Sequence, residues 1–270
     1  MKVSLVQMNS QNDKAANLKM AASLVDDIVA AEKPQLVVLP EYFAFLDDDA
    51  DAMHASGETF PGGETYTLLS SLAARHRITL HAGSVVEKSG EHFHNTSLVF
   101  APDGTEIARY RKIHLFDVVT PEGVSYRESD SVTRGREIVT YKVGDITVGC
   151  AICYDIRFPG LFQALRDRGA DIIVLPAAFT LSTGKDHWEV LARARAIETQ
   201  TYFLAVGQTG THAAGRKACF GHSMVINPWG HVIAQSPDFV TSITATLDLD
   251  YITRVRTNLP VASHSVLRFE

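Results

Sequence analysis

Apolar and polar positions along the first half of the chain switch repeatedly between the period of a strand and that of a helix. Residues 2–8 carry a strand-like apolar run. Asn12 and Asp13 can cap the helix that follows, in which Leu18, Ala21, Ala22, Val25, Ile28 and Val29 recur at helical spacing. Pro34 stops it, and the near-continuous apolar run at 35–39, QLVVL, suits a strand covered on both faces. A second helix is expected over 64–75, then strands over 78–86, 95–100 and 106–111, the last two joined at Pro102-Asp103-Gly104 as a hairpin. No clear periodicity marks 114–140, and a stretch that long inside a compact domain is uncommon and usually functional. Beyond it the pattern gives a strand at 146–152, a helix at 160–168 and a strand at 171–175. A longer helix is expected near 186–199, where Asp186 and Glu189 have capping-box spacing. Strands at 202–208, 221–227, 231–235 and 242–247 complete the series, the middle pair hinged at Asn227-Pro228-Trp229-Gly230.

No Gly/Ser/Pro-rich linker, low-complexity tract or fixed-period repeat divides the 270 residues. They read as one α/β domain, 1–270, with a large mixed sheet system and helices outside. A composition of 46% hydrophobic and 21% charged residues is that of a globular chain with a sizeable core. The net charge of -6 and a pI near 6.0, with no basic run, argue against nucleic acid, whose phosphates need clustered Lys and Arg. The acidic stretch Asp47 to Asp51 reads as a solvated loop or helix start. The opening MKVSLVQMNS is broken by Ser4, Gln7 and Asn9 and lacks the cleavage site of a secretory signal. The longest apolar stretch, 172–179, is far short of the ~18 residues that span a bilayer and contains Pro176, so no membrane partner is expected. Three cysteines are too few for a disulfide framework, and a reducing cytoplasm is the expected compartment.

Three polar residues stand where apolar strands end: Glu41 after LVVLP, Lys112 after the 106–111 strand and Cys153 after ITVGCAI. Ligand sites in α/β folds gather beyond the carboxyl ends of strands, so these three can meet. Position alone is weak evidence, because chains often surface there. The residue types add the chemistry. A thiol with a reference pKa of ~8.5 is a poor nucleophile until ionised, and a nearby base or cation lowers that value. Glu41 can take the Cys153 proton, hand it to departing ammonia and then activate water against the thioester. Lys112, with the backbone N–H after Cys153, can hold the negative oxygen of the tetrahedral intermediate. The bland alternative is a filler thiol, a capping glutamate and a surface lysine. Cys150 and Cys153 have C-x-x-C spacing, but residues three apart on a strand point to opposite faces, and no His pair accompanies Cys219. Neither a redox pair nor a metal site is expected, and Cys150 and Cys219 read as packed thiols. Of the eleven histidines none forms H-E-x-x-H or stands as an obvious base for Cys153.

At these residues the sequence resembles the nitrilase superfamily of carbon–nitrogen hydrolases. The likeness is carried by Leu39-Pro40-Glu41, by Tyr110-Arg111-Lys112-Ile113-His114-Leu115, by Cys153-Tyr154-Asp155-Ile156-Arg157-Phe158-Pro159 and by the stretch His187 to Glu198, HWEVLARARAIE, in the family's order. The resemblance implies a four-layer α-β-β-α sandwich without a cofactor, with Glu41 as general base, Lys112 as oxyanion partner and Cys153 as nucleophile. It also implies that Glu128 in the irregular segment is the second glutamate, which positions substrate and lysine, and that copies associate into a homodimer or higher homo-oligomer. Tyr154 is expected to contribute its backbone N–H, and Phe179 to wall the pocket. Arg157 is read as pinning a loop by ion pairing, against the alternative of a substrate contact, and Trp188 as core or subunit interface.

The wording around Cys153 resembles the branch that holds ω-amidase and deaminated glutathione amidase, which cleave a terminal carboxamide from a small molecule bearing a carboxylate and an α-keto group. Leu115-Phe116-Asp117-Val118 is similar to the first; Glu41-Tyr42-Phe43-Ala44-Phe45 and residues 193–198 are similar to the second. The chain departs from the branch at Ser182-Thr183-Gly184-Lys185-Asp186. There Lys185 either meets a substrate carboxylate at the mouth of the site or is a solvated turn residue. The expected partner is a small-molecule amide, with deaminated glutathione preferred. ω-Amidase action on 2-oxoglutaramate or 2-oxosuccinamate, hydrolysis of an N-carbamoyl compound or nitrile by the same residues, and a catalytically silent binding protein are the alternatives.

Overall fold

The computed structural model describes residues 1–119, 123 and 125–266, in two principal sheets that repeat one plan. In the first, the strands Lys2–Gln7, Leu36–Val38 and Thr79–His81 are parallel neighbours, connected through the helices Lys14–Glu32 and Gly63–His76. In the second, Ile146–Cys150, Ile172–Ala177 and Tyr202–Gly207 are parallel, connected through Pro159–Asp167 and Leu181–Thr199. Antiparallel strands widen both. Thr241–Thr246 lies beside Lys2–Gln7, and Val85–Ser89, His92–Phe100 and Glu106–Arg111 extend the other side. Thr140–Val143 flanks the second sheet on one edge, with Met224–Ile226 and Val232–Gln235 on the other.

The strand period of two sorts side chains into layers. Val3, Leu5, Leu36 and Val38 face inward and share a core with Val148, Val174 and Leu204 of the second sheet. Val6, Val37, Leu39 and Leu80 face outward and pack on Leu18, Ala21, Val25, Leu69 and Leu72 of the first pair of helices. The second pair covers the far side through Phe162, Leu165, Trp188 and Ala192. The order is helix, sheet, sheet, helix, the four layers implied by the resemblance. Each large apolar side chain taken from water into such a core contributes roughly 1.5–3 kcal/mol.

Asp13 caps the first helix as expected, its carboxylate accepting the Ala16 N–H at 3.0 Å. The expected strand at 78–86 is broken at Gly83, whose positive φ of 56° and close approach to Pro40 leave no room for a side chain: a Cβ would meet the Pro40 carbonyl oxygen at 2.0 Å. The helix expected to start at Asp186 starts at Leu181 after Thr180, so Asp186 and Glu189 lie inside it, exposed, and form no cap. Within 114–140, Asp117–Val119 and Ser125–Arg127 pair antiparallel and lead into the short helical turn Glu128–Asp130. A hairpin of Thr209–His212 and Lys217–Phe220 and a helix over Leu249–Asn258 had no clear signature in the hydrophobic pattern.

The carboxyl ends of the central strands meet. Met8 and Gln208 form a bridge across the two sheets, and the Gln208 amide donates to the Ser10 hydroxyl at 2.8 Å and to the Glu41 carbonyl at 3.0 Å.

Candidate active site

Glu41, Lys112 and Cys153 each sit just beyond a strand end and converge on one buried place; their exposures are 2%, 2% and 8%. Lys112 Nζ lies 3.0 Å from Glu41 Oε1 and 2.9 and 3.1 Å from the two oxygens of Glu128. An ammonium taken out of water needs such partners, since an unpaired buried charge costs several kcal/mol. Burial works against the charge on Lys112, but Glu128 and Glu41 outweigh it and hold the ammonium pKa well above its usual range. Glu41 is fixed by the Ala178 N–H on Oε2 at 2.6 Å and by the Asn95 amide on Oε1 at 2.8 Å. Glu128 accepts the Phe116 N–H at 2.7 Å and the Tyr42 hydroxyl at 3.2 Å.

Cys153 opens a short helical turn, Cys153–Arg157, with its backbone at φ 45°. A side chain in that region carries roughly 1–3 kcal/mol of strain, and surrounding contacts must hold it there. Asp155 supplies them. Fully buried, it accepts the Ile152 N–H at 2.8 Å and the Tyr110 hydroxyl at 2.7 Å on one oxygen. Its other oxygen accepts the His114 N–H at 3.1 Å and contacts His114 Nδ1 at 2.7 Å. Tyr110 and His114 flank Lys112 in the chain, so one carboxylate locks the Cys153 turn to the lysine segment.

The thiol does not behave as the sequence suggested. Burial pushes the Cys153 pKa well above the thiol range, the neighbouring Glu41 charge and its hydrogen bond push it further, and Lys112 only partly opposes them. The resting group is a neutral thiol hydrogen-bonded to a carboxylate. Cys150 is fully buried in the core and its thiol is also pushed up by burial, as expected of a packed residue.

A cavity of about 320 Å³ opens over these groups. Tyr154 and Phe179 line it, together with Phe116 and Tyr126. Lys185 does not. It is exposed on the helix Leu181–Thr199 and off the cavity wall, whereas Thr183 lines it. Residues two apart on a helix point about 200° apart, so once 182–186 are helical rather than a turn the two cannot face one way. Among the described residues Arg157 does not pin its loop by an ion pair either. Its guanidinium stacks over the rings of Tyr154 and Phe179, at 5.8 and 5.4 Å, and lies 3.3 Å from His187 Nδ1. Trp188 is core, fully buried beside Phe179, with its indole N–H donated to the His222 carbonyl at 2.9 Å.

Asn95, Tyr42 and Asp155 were not singled out by the sequence reasoning. Asn95 leads the strand segment NTSLVF as a polar residue at a position that proves 1% exposed, which is the kind of signal that marks it. Among the described residues no group of three or more His, Cys, Asp or Glu is arranged to hold a metal ion, and no helix is long and apolar enough to cross a membrane.

Comparison with known proteins adds to this geometry. The carbon–nitrogen hydrolase family model matches residues 2–257. A protein of Synechocystis sp. named deaminated glutathione amidase is 39% identical over 267 residues, covering 97% of this chain and 96% of that one. Omega-amidase NIT2 of Danio rerio is 36% identical over 266 residues, covering 96% and 92%. The crystal structure of Saccharomyces cerevisiae Nit3, described as a member of branch 10 of the nitrilase superfamily, superposes with a TM-score of 0.89 at 31% identity, covering 100% of this chain and 97% of that one.

Proposed function

The chain belongs to the carbon–nitrogen hydrolase family, and from that premise we propose that it is an amidase that cleaves the amide C–N bond of a small carboxylated amide, with deaminated glutathione preferred. The observation that carries the reading is the Lys112 ammonium clamped between Glu41 and Glu128 beside a thiol that is bonded to Glu41.

The steps follow from these groups. Cys153 Sγ attacks the amide carbon while Glu41 takes the thiol proton. Because the thiol pKa is high, proton transfer accompanies attack instead of preceding it. The oxygen becomes negative where the Lys112 ammonium and the Tyr154 N–H can meet it. The C–N bond then breaks, the proton passes from Glu41 to nitrogen, and the amine leaves a Cys153 thioester: ammonia from a primary carboxamide, cysteinylglycine from deaminated glutathione. Water next gives a proton to Glu41 and attacks that thioester. The C–S bond breaks, sulfur recovers the proton from Glu41, and the product acid departs. Lys112, held protonated, is an electrostatic group and not a base. Glu128 fixes its position from the irregular segment.

Cys153→Ala is expected to cut ammonia release by at least about 10³-fold without changing the melting curve. Undiminished turnover would remove Cys153 from the mechanism. In a panel of amides, ureides and nitriles scored on the unaltered enzyme, cysteinylglycine should come from deaminated glutathione and ammonia from 2-oxoglutaramate; turnover of nitriles alone would overturn the amide assignment.

A further inference from the structure

The hairpin strand Lys217–Phe220 brings a second cation to the cavity. Lys217 and Cys219 are two apart on that strand, so their side chains leave the same face, and both line the cavity that holds Cys153. The Cys219 thiol, pushed up to about 12 by burial, feels Glu41 and Lys217 with opposite sign. It lies toward the catalytic end, with Lys217 further along the strand by two residues, ~6.8 Å.

The other charged groups of the cavity are already engaged. Lys112 is neutralised by Glu41 and Glu128. Arg127 pairs with Asp130 at 3.1 Å, and Asp48 with Arg216 at 2.6 Å. Asp47 accepts from the Asn12 amide at 2.7 Å and from the Asp48 N–H at 2.6 Å. Lys217 forms no salt bridge among the described residues; its ammonium rests over the Tyr126 ring, 4.8 Å from the centroid. Its charge nevertheless reaches the neighbourhood: after burial, it is the next cause that holds His212 below the usual imidazole range.

Charge therefore grades along the cavity. At the catalytic end two carboxylates and one ammonium leave one net negative charge, which repels an anionic group. At the hairpin end Lys217 and Arg216 offset Asp47 and Asp48, whose charges also reach His212, so the local charge is near zero and the Lys217 ammonium can attract one. Building on the amidase reading, we infer that Lys217 binds the remote carboxylate of the substrate, so that the site selects and orients linear amides that carry an anionic end away from the scissile carboxamide. The aromatic seat on Tyr126 holds the ammonium in place without neutralising it.

The test compares a linear keto-amide ending in a carboxylate with the same compound as its neutral methyl ester. The unaltered enzyme should prefer the acid. Lys217→Met should lower kcat/KM for the acid by about 10–100-fold, chiefly through KM, and bring the acid-to-ester ratio toward one, as losing a charge-assisted hydrogen bond predicts. Lys217→Arg should restore the preference, and Lys217→Glu should reverse it. Melting curves and electrophile labelling of Cys153 confirm that each variant is folded with an open site. An active enzyme whose acid-to-ester ratio is the same in all four proteins overturns this inference alone. No ammonia from any amide and no adduct at Cys153 in the unaltered enzyme overturns the amidase reading and this inference with it.

Discussion

Burial and charge act on the Cys153 sulfur together, and the result sets how the proposed nucleophile is used. Removing the thiol from water disfavours the thiolate, and the adjacent carboxylate disfavours it again, so Lys112 cannot bring it to ionise at neutral pH. Such a site protects the sulfur from stray electrophiles and oxidants, which attack thiolates, and releases it when a substrate lets the proton move to Glu41. The pH dependence of maleimide labelling at Cys153, followed by mass spectrometry, should rise without a plateau up to about pH 9, the ordinary thiol range. Glu41→Gln removes the charge that raises the thiol pKa. Its labelling curve should move to lower pH while amide turnover falls by about 10²–10⁴-fold for want of the base. A curve that moves to higher pH would contradict this electrostatic account. Asp155 shows how much one residue can organise here, since its two oxygens join Ile152, Tyr110 and His114 around the turn.

Single glycines decide how closely elements approach. Gly184 sits in the first turns of the helix Leu181–Thr199, against Phe220 of the hairpin that carries Cys219 and Lys217. A Cβ there would stand 2.3 Å from the Phe220 Cβ, too near for either element to stay in place. Gly184→Ala should therefore push the hairpin off the helix and cost about 1–3 kcal/mol, the usual size of an overpacking penalty. A denaturant titration should show the lowered midpoint, and KM should rise as the cavity wall moves; an unshifted midpoint would mean that the contact relaxes freely. The same helix shows why its start was misread. Four of its first six residues, Ser182, Thr183, Gly184 and Asp186, are weak helix formers that resemble a turn, and they are helical because Gly184 and Trp188 pack against the hairpin and the core.

Across the whole molecule, the two sheets are joined by apolar packing that also holds a titratable contact. His81 of the first sheet is fully buried, its Nδ1 3.1 Å from the hydroxyl of Tyr141 in the second, and its Nε2 finds no partner among the described residues. Burial depresses its pKa from 6.5 to about 3. The folded protein thus keeps His81 neutral, while the unfolded chain takes up a proton below pH ~6.5. The stability that His81 shares at neutral pH is lost as the pH falls from there toward 3. At pH ~4.5 the loss amounts to roughly 2–3 kcal/mol, two pH units at about 1.4 kcal/mol each. His81→Gln keeps a hydrogen-bonding partner for Tyr141 but cannot titrate. Its unfolding free energy should fall by less between pH 7 and pH 4.5, measured by urea unfolding at the two values; equal losses in both proteins would place the acid sensitivity elsewhere.

The amino-acid sequence by itself determined the strand and helix series of the central units, because the periods of two and 3.6 are local properties of the backbone. The strand at 106–111 matches Glu106–Arg111 residue for residue, and helices and strands elsewhere in the central units differ by only a few positions. It also marked Glu41, Lys112 and Cys153, since a reactive residue type at a strand end is a local feature, and the family's motif words added Glu128. Only the tertiary structure decided what depends on distance through space. The direction of the Cys153 shift comes from burial and from a carboxylate more than a hundred positions away in the chain. The exclusion of Lys185 comes from a helix start set by packing against a hairpin, and the presence of Lys217 in the cavity comes from that hairpin folding back over the sheet ends. Charge and solvation are properties of surroundings, and surroundings exist only once the chain has closed on itself.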